Sequence, residues 1–181
     1  MVRSHVRSLA ALARRVLPAR ARRLVLAGFA CVLAPAPTAG LGAQGSPAAI
    51  TVTGIRNLGF GSLIPGLASA VPPTDPARAA QFDVRGPAAQ QVQLQLALPL
   101  SLTGPGGALL PVRYGPSAAA YSLTNAPADA IAFDPALPFT LSLPASGRVQ
   151  VYLGGTAVPA PTMTPGRYAA VITLTAAATG N

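Results

Sequence analysis

The sequence predicts an all-β protein, an antiparallel immunoglobulin-like β-sandwich preceded by a helical signal peptide. Three observations predict it. Apolar and polar residues alternate with a period of two in several short runs, as strands with one buried face require. Glycine and proline turn signals separate those runs at close intervals. The 20 Pro and 18 Gly also disfavour long helices after the leader. An interior Pro costs a helix about 3 kcal/mol and an interior Gly about 1 kcal/mol.

The leader comes first. Seven of the 13 Arg lie in the first 23 residues, with no acid among them. An 11-residue apolar run from Leu24 to Ala34 follows and is ended by Pro35 and Pro37. Small residues continue to Ala43. This is the layout of a secretory signal peptide. The run is far shorter than the ~20 apolar residues a membrane span needs. Cleavage is placed after Ala43, before Gln44, with Ala39 and Gly40 as alternative sites. A lipid-attachment motif at Cys31 wants Leu three residues earlier, where Gly28 stands. A twin-arginine signal at Arg22-Arg23 wants Ser or Thr before it, where Ala21 stands. An organelle transit peptide is also Arg-rich, but the distinct apolar run fits secretion better. The chain thus divides into a signal peptide, 1–43, and a single β-sandwich domain, 44–181. The mature protein is expected in the periplasm or at the cell surface, with no membrane span after cleavage.

The strands follow in order. Residues 48–55 show weak alternation through Ile50 and Val52. Residues 62–79, with Pro65, Pro72, Pro73 and Pro76, read as a long surface loop. Gln81-Phe82-Asp83-Val84-Arg85 turns Phe82 and Val84 inward. In 91–98, Val92, Leu94, Leu96 and Leu98 share one face. Gln91, Gln93 and Gln95 share the other and, with Gln90, form a polar ladder. That ladder reads as a solvated strand face or as a face meeting another subunit. Residues 101–116 read as a loop, and 116–136 has room for strands near 119–123 and 130–133. Arg148-Val149-Gln150-Val151-Tyr152-Leu153 turns Val149, Val151 and Leu153 inward and Tyr152 outward beside Gln150. In 168–176 the inward set is Tyr168, Ala170, Ile172 and Leu174, and a short tail begins at Ala176. Turns are expected at Gly86-Pro87, Gly104-Pro105-Gly106-Gly107, Gly115-Pro116, 144–147, Gly154-Gly155 and Pro165-Gly166.

Composition excludes much chemistry. The formal charge is +9 but falls to +2 without the seven leader Arg. The basic balance is therefore a property of the leader, not the footprint of a nucleic-acid binder. His5 and Cys31 are the only His and Cys, and both lie in the leader. The mature chain has no His, Cys, Lys, Glu or Trp. This excludes His-based acid–base catalysis, Cys or Lys nucleophiles, zinc sites with N/S ligands and disulfides. Ser62, Ser69, Ser117 and Ser122 have no His to complete a triad. No cofactor is expected.

Leu58-Gly59-Phe60-Gly61-Ser62-Leu63-Ile64-Pro65-Gly66 carries a recognisable pattern, an early Leu-Gly-Phe-Gly followed by a Pro-Gly turn. Ala80-Gln81-Phe82-Asp83-Val84-Arg85-Gly86, then Val151-Tyr152-Leu153-Gly154-Gly155-Thr156, then Pro165-Gly166-Arg167-Tyr168 follow in order. This ordered set resembles the bacterial family catalogued as domain of unknown function 4402. That family is itself similar in pattern to spore coat protein U and the archaic chaperone–usher pilins. The resemblance spans 48–176 and implies a secreted or surface protein. It brings no catalytic residues. The motif positions are Leu58, Gly59, Phe60, Gly61, Pro65, Gly66, Phe82, Val84, Gly86, Gly154, Gly155, Gly166 and Tyr168.

Each chemical motif also has a structural reading. Gly59, Gly61 and Gly66 look like a phosphate cradle, but no Lys or helix follows, so they read as turn glycines beside a core Phe60. Asp129 and Asp134 are the one candidate carboxylate pair or calcium site, with Asn125 near. Both precede turn-like segments and read as turn residues. Tyr114, Tyr121, Tyr152 and Tyr168 offer a sugar-stacking surface only if exposed.

The expected function is a secreted, non-enzymatic cell-surface structural or adhesive subunit, pilus-like, with self-association or a periplasmic chaperone as partner. In donor-strand assembly, 48–55 inserts Ile50 and Val52 into a neighbouring subunit. The same segment serves equally as the first strand of a complete sandwich. The alternative function is a secreted module binding a carbohydrate or cell-envelope ligand through the loops 62–79 and 101–116.

Overall fold

The structure is a computed structural model that describes residues 49–179. The signal peptide expected at 1–43, its expected helix and cleavage site, and Cys31 lie outside the described residues, as do residues 44–48 and 180–181.

Twelve strands account for the described chain. They are β1 (Thr51–Arg56), β2 (Ser69–Val71), β3 (Ala80–Arg85), β4 (Gln91–Ala97), β5 (Ser101–Thr103), β6 (Leu109–Arg113), β7 (Ala119–Ser122), β8 (Ile131–Phe133), β9 (Phe139–Ser142), β10 (Arg148–Leu153), β11 (Gly155–Ala157) and β12 (Thr173–Ala178). The only described helices are two single 3₁₀ turns, Pro105–Gly107 and Pro127–Asp129. Every strand pairing is antiparallel. A five-stranded sheet runs β1-β3-β10-β7-β8, a four-stranded sheet β2-β11-β6-β5, and a three-stranded sheet β12-β4-β9. The chain is an all-β antiparallel sandwich.

The alternating runs build its core. Phe82, Val84, Val149, Val151 and Leu153 from the five-stranded sheet meet Val92, Leu94, Leu141 and Leu174 from the three-stranded sheet. Val71, Leu102, Leu110 and Val112 from the four-stranded sheet join the same cluster. Burying each large apolar side chain contributes roughly 1.5–3 kcal/mol. Gln91, Gln93 and Gln95 are exposed on the opposite face of β4. An aromatic trio ties two sheets at one corner: Phe133 of β8 stacks on Phe139 of β9 at 4.7 Å between ring centroids, with Tyr121 of β7 5.1 Å from Phe139.

β1 pairs within its own chain. Thr51, Val52, Thr53 and Gly54 face Arg85, Val84, Asp83 and Phe82 of β3, and the register shifts between Gly54 and Arg56. It is an edge strand with four of its six residues exposed. Ile50 and Val52 are half-buried against the core.

Several expectations are corrected. The 62–79 loop contains β2, which pairs with β11 and buries Val71. The 101–116 loop is a β5–β6 hairpin around the Pro105–Gly107 turn. Pro111 obscures its alternation, yet its carbonyl still accepts from Val158 N at 2.9 Å, so the ladder continues. β9 lies where no strand is expected above, although Phe139-Thr140-Leu141-Ser142 alternates over two periods. Gly154-Gly155 is not a reversal: β10 leaves the five-stranded sheet, kinks at Gly154 and enters the four-stranded sheet as β11. A Cβ on Gly154 would lie 2.1 Å from the Val71 carbonyl oxygen, so only glycine allows this approach. The last strand begins at Thr173 rather than Tyr168, and Ala176–Ala178, expected as tail, belong to β12.

Tyr152 is the clearest correction. It is buried at 1% exposure, as is Gln150. β10 is the central strand of its sheet, with β3 and β7 on either side. Its polar face carries a network that fills that surface. Asp83 Oδ1 accepts from Arg148 Nε at 2.6 Å and Gln150 Nε2 at 2.8 Å, and Oδ2 accepts from Arg85 Nε at 2.7 Å. Gln81 Nε2 donates to Gln150 Oε1 at 3.0 Å. Burial works to raise the Asp83 carboxyl, but the bonds from Arg148 and Arg85 outweigh it and hold the group below the usual carboxylate range. Beside this network the Tyr152 hydroxyl has no hydrogen-bond partner among the described residues. Burial pushes its pKa up, against the opposing pull of Arg56 and Arg148.

Candidate functional site

Two segments far apart in sequence converge after β1 and before β12. In the first, Gly59 N donates to Arg78 O at 2.9 Å, which ties the 58–61 stretch to the chain entering β3. Ile64-Pro65-Gly66-Leu67 then turns, with Leu67 N donating to Ile64 O at 3.1 Å. Pro second and Gly third, with Gly66 at φ 79°, is the signature of a type II turn. Gly66 N donates to Pro159 O at 3.1 Å and docks the turn on the second segment. In that segment the Tyr168 hydroxyl donates to Thr164 O at 2.7 Å, and the ring lies against Gly104. Ala169 exchanges two hydrogen bonds with Thr103 of β5, at 2.9 and 3.0 Å.

Between the segments opens a cleft of about 660 Å³, within the size range of small-molecule sites. Buried Leu58, Phe60, Leu102, Leu110 and Tyr168 form its base, and half-buried Leu63 and Met163 its walls. Ser62, Thr164 and Arg167 add the polar groups, and Arg167 is the only charged side chain lining it. Apolar walls of this kind bind by removing apolar surface from water. The lining residues offer no carboxylate or imidazole for proton transfer.

The motif positions separate into three groups. Leu58, Gly59, Phe60, Gly61, Pro65, Gly166 and Tyr168 all line the cleft, and Gly66 shapes its turn. Phe82 and Val84 are core residues of β3, and Gly86 N bonds Gly147 O at the end of that strand. Gly154 and Gly155 mark the passage from β10 to β11. Ile50 and Val52 lie at the β1 edge. Leu102, Leu110, Met163 and Arg167 were not singled out as site residues. The alternation of Leu110 with Val112 was the available signal for one of them.

The four Asp are dispersed. Asp75 Oδ1 accepts from Ala77 N and Arg78 N, both at 2.9 Å, and Oδ2 pairs with Arg78 Nε at 2.8 Å. These bonds hold its carboxyl below the usual range. Asp83 belongs to the β3–β10 network. Asp129 accepts from Thr124 Oγ1 at 3.2 Å, and Asp134 accepts from Ala136 N at 2.9 Å within its own turn. Among the described residues no three His, Cys, Asp or Glu side chains come together as metal ligands.

In comparisons with family models, curated proteins and solved structures, nothing matches this chain.

Proposed function

We propose that this chain is a secreted, non-enzymatic β-sandwich module that acts at the cell surface by holding an apolar cell-envelope ligand in the cleft between 58–65 and 163–168. The observation that carries the reading is convergence. Two motifs that look like ordinary turn glycines, about 100 residues apart, line one apolar cleft with most of their side chains. The cis pairing of β1 supports a sandwich complete in one chain. A neutral fluorescent probe, N-phenyl-1-naphthylamine, tests the reading. Its emission should rise on the wild-type protein, and Ser62→Trp, which places a bulky ring at an exposed cleft position, should weaken uptake several-fold. No uptake by a folded protein sinks the reading.

A second reading, a pilus-like structural or adhesive subunit, is favoured by β1 itself. An edge strand held by one neighbour and exposed at four of six residues is the element easiest to exchange between copies. A periplasmic chaperone would then guard the vacated edge. Heat-sensitive multimers on unheated denaturing gels, lost when 48–55 is deleted, would favour this reading. A monomer unchanged by heating would remove it.

A further inference from the structure

The following inference rests on the cleft reading above and names the ligand class. Arg167 lines an otherwise uncharged cleft and forms no ion pair with any described residue. No side-chain carboxylate is at hand to neutralise it. The whole sequence has four Asp and no Glu, and each Asp is engaged elsewhere: with Arg78, with Arg85 and Arg148, with Thr124, and in the Asp134 turn. Arg167 is an exposed residue of the cleft lining, so its guanidinium is open to an anion arriving from solvent. It also forms charge-assisted hydrogen bonds with phosphate or carboxylate.

The rim points the same way. The type II turn presents Ile64 and Leu67 outward, at 64% and 60% exposure. A single exposed apolar residue is ordinary. Two on one four-residue turn, whose Pro65 lines the same cleft as Arg167, match what a lipid interface accepts: apolar tips among the acyl chains and a cation at the headgroups. A peptide strand fits less well. The backbone of β5 beside the cleft is already bridged to Ala169, which leaves an added strand no ladder to join there.

We propose that the cleft takes one acyl chain of an anionic lipid, with Arg167 on the headgroup and the Ile64–Leu67 turn seated in the surrounding lipid. Co-sedimentation tests it, with vesicles of phosphatidylcholine alone and of phosphatidylcholine doped with phosphatidylglycerol. The protein should prefer the anionic vesicles, and added salt should erode that preference. Arg167→Gln should lower affinity for them about fivefold, the effect of one basic residue at an anionic surface. The exposed double variant Ile64→Ser, Leu67→Ser should lose vesicle binding yet still take up N-phenyl-1-naphthylamine. Soluble glycerol phosphate at the same headgroup concentration should not compete. Equal binding to both vesicle types, unchanged affinity in Arg167→Gln, or full competition by glycerol phosphate overturns the proposal. Probe uptake without vesicle binding defeats the lipid inference alone, whereas loss of probe uptake in the folded wild type defeats the cleft reading beneath it.

Discussion

Gly154→Ala is the sharpest test of how the sandwich is joined. The added Cβ would stand 2.1 Å from the Val71 carbonyl oxygen and 2.8 Å from both Pro72 C and Pro73 N. An ordinary non-bonded contact lies near ~3.5 Å, so the two backbones must part by about 1.4 Å. The obstacle is backbone, not the end of a flexible side chain, so it cannot swing away. Val71 pairs with Gly155 in the β2–β11 ladder, and Gly154 N donates to Ala118 O at 2.8 Å. Parting the strands therefore strains hydrogen bonds on both sides of the kink. Overpacking of this kind costs about 1–3 kcal/mol, with ladder loss pushing toward the upper end. For a domain of this size each kcal/mol moves Tm by about 3–5 °C, which gives a fall of roughly 6–15 °C by calorimetry or circular dichroism. Gly59→Ala is the matched control, since no heavy atom lies within 4 Å of the Cβ it would add. That variant should stay within about 0.5 kcal/mol of wild type. Equal stability of the two variants would refute the close approach at Gly154 and the strand transfer inferred from it.

Two further predictions concern the polar face of β10. Asp83 has a carboxyl held below its ordinary range by Arg148 and Arg85 against the effect of burial, so it stabilises the fold above the unfolded carboxylate pKa near ~4 and loses that contribution as pH falls toward its folded value. Asp83→Asn should lower stability at neutral pH and flatten its decline on acidification, read from urea midpoints; an unchanged acid slope would contradict the network. Tyr152→Phe removes a buried hydroxyl that has no hydrogen-bond partner among the described residues. It should be neutral or stabilising by up to about 1 kcal/mol, whereas a loss above that would show the hydroxyl to be bonded.

The sequence was legible wherever a strand was long enough to repeat. Phe82 with Val84, Val92 with Leu94, and Val149 with Val151 and Leu153 each show two or three periods, and all are buried in the core. β2 and β5 have three residues each, hardly more than one period, and lie among Pro and Gly, so they read as loop. The short β7 and β8 stand where strands were expected, and β9, which alternates over Phe139-Thr140-Leu141-Ser142, drew no expectation. The site was legible in halves. The 58–66 and 165–168 motifs stood out as turn patterns, but nothing local joined them to each other or to Leu102 and Leu110.

Local chemistry by itself determined the fold class, the inward faces of the long strands and the exclusion of His and Cys chemistry from residues 44–181, because period-two alternation and composition act without knowledge of distant residues. Tertiary structure alone decided which faces are covered. Alternation places Gln150 and Tyr152 on one side of β10, but only the flanking strands and the Asp83 network bury that side. It also decided that β1 pairs in cis, that Gly154 carries the chain from one sheet to another, and that Arg167 opens onto an apolar cleft. Each of these depends on a contact between segments far apart in the chain, whose energy no single run of residues contains.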